Sequence, residues 1–80
     1  MFITIELQTN SDGTVGMLTD QFQTQNEAES KFHTVLGYAA ASNLPKHACA
    51  IITEEGFIVR NECYMHDVQP TPTAEVTEGE

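Results

Sequence analysis

The stretch Asn26-Glu27-Ala28-Glu29-Ser30-Lys31-Phe32-His33-Thr34-Val35-Leu36-Gly37-Tyr38-Ala39-Ala40-Ala41 decides the fold, because it carries the clearest helical periodicity in the chain. Ala28, Phe32, Val35, Leu36, Ala39 and Ala40 fall on one stripe at helical spacing. Asn26 suits the N-cap, and Glu29 is placed to reach back to its amide as a capping box. Glu27 and Glu29 also suit the positive end of the helix dipole. At the other end Asn43 is expected in the left-handed terminal position, and Pro45 forbids continuation.

Outward from this helix, each flank reads as a hairpin. Residues 1 to 8 alternate, with Ile3, Ile5 and Leu7 on one side and Phe2, Thr4, Glu6 and Gln8 on the other, the period of a half-buried strand. Ser11-Asp12-Gly13 is a three-residue turn whose glycine accepts the left-handed conformation. It pairs Asn10 with Thr14 and sets Val15 and Met17 beside Leu7. The same device recurs at Glu54-Glu55-Gly56, between residues 49–53 and 57–60. The order strand, strand, helix, strand, strand predicts an α+β, ββαββ fold, a four-stranded antiparallel sheet with one helix packed on one face. Strand order stays open at this level. Residues 1–66 make the single domain, and residues 67–80, with Pro70, Pro72 and the acidic terminus, are expected to be a disordered tail.

Eighty residues leave room for one domain, and a chain this short buries only about 60% of its unfolded surface, so it gains from a partner subunit. Twelve carboxylates oppose three Lys and Arg side chains, for a net charge of -9. Nucleic acid polymers and anionic membranes are held by clustered cations, and Lys31, Lys46 and Arg60 are few and scattered. Neither is an expected partner; a small ligand with one or two phosphates is compatible. Phe2-Ile3-Thr4-Ile5 follows Met1 with no secretory pattern, and no run approaches the ~20 apolar residues of a membrane span. The expected location is cytoplasmic, where Cys49 and Cys63 stay reduced.

After Val35 the helix stays small or apolar nearly all round, through Leu36, Gly37, Tyr38 and three alanines. A helix covering one sheet needs only a stripe, so the excess points to a second copy and a homo-oligomer. His33, Gly37 and Ala41 form a face of low bulk on which another helix can approach. In the second hairpin the loop register assigns His47, Cys49, Ile51, Val59 and Cys63 to the core side. It assigns Ala48 and Ala50 to the other side, beside Arg60, Glu62, Tyr64 and His66, as a shallow floor with tall walls that grips a ligand. An ordinary polar sheet face with cross-strand charge pairs is the alternative.

His47-x-Cys49 and Cys63-x-x-His66 contain potential zinc ligands, but alternation sends His66 to the opposite face from Cys63, and no metal is expected. The two cysteines read as diagonal, at about 7 to 8 Å, too far for a disulfide. Both read as core-facing and inert. No phosphate loop, dinucleotide fingerprint or nucleophile elbow is present, so no enzyme and no cofactor are expected. What remains is a binding group: Arg60, Lys46 and His66 for phosphate, Tyr38 or Tyr64 to stack a base, and His33 and His47 as further polar contacts.

With residues 28–36, Pro45-Lys46-His47-Ala48 and Glu62-Cys63-Tyr64-Met65-His66 in view, the chain resembles a family of short proteins in phages and prophages of Gram-positive gut bacteria. The resemblance covers most of residues 1–66. By class it is similar to phage sponges that bind nucleotide immune signals, such as the cyclic ADP-ribose products of bacterial TIR enzymes, in pockets shared between subunits. That resemblance implies a non-catalytic, oligomeric anti-defence protein that sequesters such a signal in the host cytosol. The alternative is a phage protein-interaction module, either a virion component or an inhibitor docking on a host protein.

Overall fold

A computed structural model describes residues 1–66, and the tail expected over residues 67–80 lies outside the described residues. Alternation and turn chemistry produce β1 (Phe2–Thr9), β2 (Val15–Phe22), α1 (Gln25–Ala41), β3 (Lys46–Thr53) and β4 (Ile58–Met65). All neighbours are antiparallel and the strand order is β2-β1-β3-β4, which is the α+β, ββαββ architecture expected. Among the described residues no helix is long and apolar enough to cross a membrane.

Both turns form as their glycines require. Asn10 and Thr14 close the first through a 2.8 Å backbone bond, with Gly13 at φ 90°. Thr53 and Phe57 close the second in the same way, with Gly56 at φ 95°.

The helix ends differ from the expectation. Thr24, not Asn26, is the N-cap: its hydroxyl accepts the Glu27 amide at 3.2 Å, and Glu27 accepts the Thr24 amide in return. The pair Asn26/Glu29 has the same spacing but loses, because Glu29 is engaged by Gln25 at 2.8 Å and by Arg60 at 3.1 Å. At the C-terminus Ser42 caps in an extended conformation, and among the described residues none other than glycine has positive φ, so Asn43 does not take the left-handed position.

Ala28, Phe32, Val35 and Ala39 of α1 are buried, and Ala28, Phe32 and Val35 pack with Cys49 and Ile51 of β3. Leu36 is partly buried, whereas Ala40 points to solvent. The even-numbered residues of β1 share this covered face: Thr4 is 2% exposed and donates its hydroxyl to the Ala28 carbonyl at 3.2 Å.

The second hairpin is shifted relative to its loop. Ile51 pairs with Arg60 while Ile52 pairs with Ile58, so Val59 is an extra residue, a bulge that reverses the face of every later side chain in β4. Arg60, Glu62 and Tyr64 therefore oppose Ile51, Cys49 and His47 on the helix-covered face. They do not stand beside Ala48 and Ala50, and the floor with tall walls does not form. Cys63 opposes Ala48 on the far face and is exposed, so it is not a core residue, and the sheet separates it from buried Cys49.

The far face is the more apolar one. On β1 it carries Ile3, Ile5 and Leu7, beside Met17 and Val15 of β2. On β3 it carries Ala48, Ala50 and Ile52, beside Cys63 and Ile58 of β4. Met17, Val15, Ile58 and Met65 are more than half exposed there. Lys46 at one corner is its one charged residue among those described.

Candidate functional site

One helix is about 10 Å across and four strands span about 19 Å, so a helix laid over the two central strands leaves a groove on each side. The groove toward β2 holds about 150 Å³ and is lined by Thr4, Glu6, Asp20, Lys31 and Val35, among others. Lys31 bridges it to Asp20 at 3.4 Å, and its volume is below that of ordinary ligand pockets.

The groove toward β4 holds about 440 Å³, within the range of small-ligand sites. Phe32, Leu36 and Val59 give it an apolar floor, and His33, Arg60 and Glu62 give it a polar rim; Asn61 also borders it, but its position opposite Ala50 assigns its side chain to the far sheet face. The bulge is what creates it, since it turns Arg60 toward the helix. Arg60 is then anchored through Nε on Glu29 at 3.1 Å. Hydrogen bonds from Gln25 and from Arg60 hold the Glu29 carboxyl below its ordinary range, so the anchor stays ionised. His33 sits edge-on to Phe32, with ring centres 5.5 Å apart.

A second polar cluster lies inside the fold. His47 is 4% exposed; its Nε2 meets Glu6 Oε2 at 2.6 Å and its Nδ1 meets Ser42 Oγ at 3.1 Å. Gln8 donates to the same Glu6 oxygen at 2.9 Å. Burial acts to raise the Glu6 carboxyl, but the Gln8 and His47 hydrogen bonds, with the charges of His47 and Lys31, outweigh it and hold the group low. The order serine, imidazole, carboxylate resembles a nucleophilic relay. Neither groove is lined by Ser42 or His47, however, and the cluster ties the end of α1 through β3 to β1, as a structural clamp does. Cys49 nearby is pushed up to about 11 by burial and, to a lesser extent, by the Glu6 charge, which keeps it protonated as a thiol.

The seven residues expected to bind a ligand are thus distributed over several places. His33 and Arg60 meet at the β4 groove. His47 belongs to the clamp. Tyr64 and His66 stack nearly parallel, with ring centres 6.4 Å apart, and His66 Nε2 meets the Ala39 carbonyl at 2.9 Å beside the helix end. Tyr38 is 71% exposed on α1, and Lys46 lies on the far sheet face. Phe32, Leu36 and Val59, the groove floor, were not singled out as ligand contacts because a helical stripe and a strand apolar residue read as core. Adjacent Ile58 and Val59 interrupt the alternation of β4 and are the one sequence sign of the bulge. Comparison with protein-family models, with curated proteins and with solved structures finds no match for the chain.

Proposed function

We propose that this protein is a non-catalytic, self-associating binding protein that captures a small nucleotide-type ligand in the groove between α1 and β4. The observation that carries this reading is the groove itself: about 440 Å³, floored by Phe32, Leu36 and Val59 and rimmed by His33 and by an Arg60 already held in place by Glu29. An apolar floor takes a flat ring, and a guanidinium takes a phosphate without needing a generally basic surface. Glu62 on the rim disfavours a highly charged ligand, which limits the guest to one or two phosphates. A cyclic ADP-ribose type signal fits that description, and capture without turnover is how a phage anti-defence sponge in the host cytosol would act.

Calorimetry and thermal melting against cyclic ADP-ribose isomers and mononucleotides test it. The expected result is a raised melting temperature with at least one of them, the ligand recovered chemically unchanged, and binding weakened at least ~10-fold by Arg60→Gln. No shift across the panel, or release of a product, contradicts it. A second reading, an interaction module, is favoured by the uncovered apolar sheet face.

A further inference from the structure

We infer that the sheet face turned away from α1 is the contact between two copies of this chain, packed sheet on sheet about a two-fold axis running along the strands between β1 and β3. This deepens the reading above, on which it rests only in requiring more than one copy; the face itself follows from the sheet.

Three observations select a second copy as the occupant. The first is area. Strands of eight residues and four strands give a footprint of roughly 500 Å² per copy, hence about 1,000 Å² for a pair, the size at which specific interfaces begin. Thr9, Thr19, Gln21, Lys46 and Asn61 are the polar positions within this footprint and the rest is apolar; an uncovered, mostly apolar face of this extent marks an association site.

The second is charge. Two copies of a chain with net charge -9 repel unless their contact excludes carboxylates. Every described carboxylate lies elsewhere: Glu6, Asp20 and Glu62 on the helix-covered face, Glu27 and Glu29 on α1, and the rest in the turns. A basic partner would need acidic groups on this face, and it has none. The tail residues 67–80 carry four of the chain's carboxylates and two prolines, a poor complement to an apolar sheet.

The third is shape. An axis along the strands lays β1 of one copy over β3 of the other, and β2 over β4. Because Ile5 is level with Ala50 and Leu7 with Ala48, these two large side chains of each copy then meet small ones of the other, while Ile3 meets Ile52 toward one end of the contact. Met17, level with Leu7, comes to lie over Cys63, level with Ala48. Layers about 10 Å apart are filled in this large-on-small manner in sheet sandwiches.

Sedimentation of the full chain at micromolar concentration should give twice the 8.8 kDa chain mass. Ile5→Lys places a charge at the centre of the contact and should weaken pairing at least ~100-fold. Met17→Lys, at a side chain 66% exposed in the single copy, should do the same with an unchanged circular dichroism spectrum. Gly37→Leu, at a helix position where an added Cβ meets nothing within 4 Å, should leave the pair intact. In Met17→Cys, a short bismaleimide should join the introduced thiol to Cys63 of the other copy; within one chain those positions are separated by three strand spacings, about 14 Å. A single-copy mass for the wild type overturns both this contact and the self-association in the capture reading. A pair broken by Gly37→Leu and untouched by Ile5→Lys overturns the sheet contact alone.

Discussion

The two faces of the sheet differ in a direction opposite to the usual one. The face under α1 holds Thr4, Glu6, Gln8 and His47 beside Cys49 and Ile51, whereas the face open to solvent holds Ile3, Ile5, Leu7, Ala48, Ala50 and Ile52. The covered face is held by a small apolar centre plus satisfied polar groups: the Thr4 bond to α1 and the His47 clamp. The open face has area without cover. Apolarity alone therefore does not decide where a helix packs; the match of Ala28, Phe32 and Val35 to Cys49, Ile51 and Thr4 does, and the greasier face is left for another surface.

The comparison breaks most easily at the covered centre. Phe32→Ala removes the largest helix contribution to the core and should cost about 3–5 kcal/mol, a large share of the stability of so small a domain, measured by urea titration. If it costs no more than Met17→Ala does under single-copy conditions, where an exposed side chain contributes within ~0.5 kcal/mol, the two faces are not distinguished as described.

Next comes the clamp. His47→Ala takes from the half-buried Glu6 its closest partner and should cost about 1–3 kcal/mol. Its pH dependence sharpens the point. The folded state holds the Glu6 proton less readily than the unfolded chain does, so the stabilisation is complete above the ordinary carboxyl pKa of about 4.3 and is lost as pH falls through the depressed folded value. Glu6→Gln should therefore be less stable than wild type at pH 7, with the gap closing below about pH 4. A gap constant from pH 7 to pH 3 contradicts the ionised clamp.

The smallest effect is at the helix start. Thr24→Ala should cost about 1 kcal/mol and Asn26→Ala less than ~0.5, which separates the observed cap from its neighbour of equal spacing.

These contrasts also show how far residues alone lead. The order of elements was legible because Gly13 and Gly56 sit where left-handed turns need them, and because 28, 32, 35 and 39 recur at helical spacing. Strand order was not, since nothing local distinguishes pairing of β1 with β3 from other arrangements of two hairpins. The bulge at Val59 is hidden from a register counted from loop length alone, and one extra residue moves Arg60, Glu62, Tyr64 and Cys63 to opposite faces from those expected. His33 and Arg60 were recognisable as polar groups for a ligand, but their meeting at one groove depends on that bulge. The excess apolar surface was anticipated on α1; the larger uncovered area lies on the sheet, where alternation named the two faces without saying which one the helix takes.

The most direct measurement of the central claim is a methyl NMR experiment on a mixed sample, half with isotope-labelled Ile and Met methyls and half unlabelled, filtered for contacts between copies. Contacts between copies are predicted for Ile5, Met17 and Met65 on the open face, and none for Ile51 beneath α1. An absence of such contacts at the open face, with the protein at a concentration where sedimentation finds pairs, would contradict it.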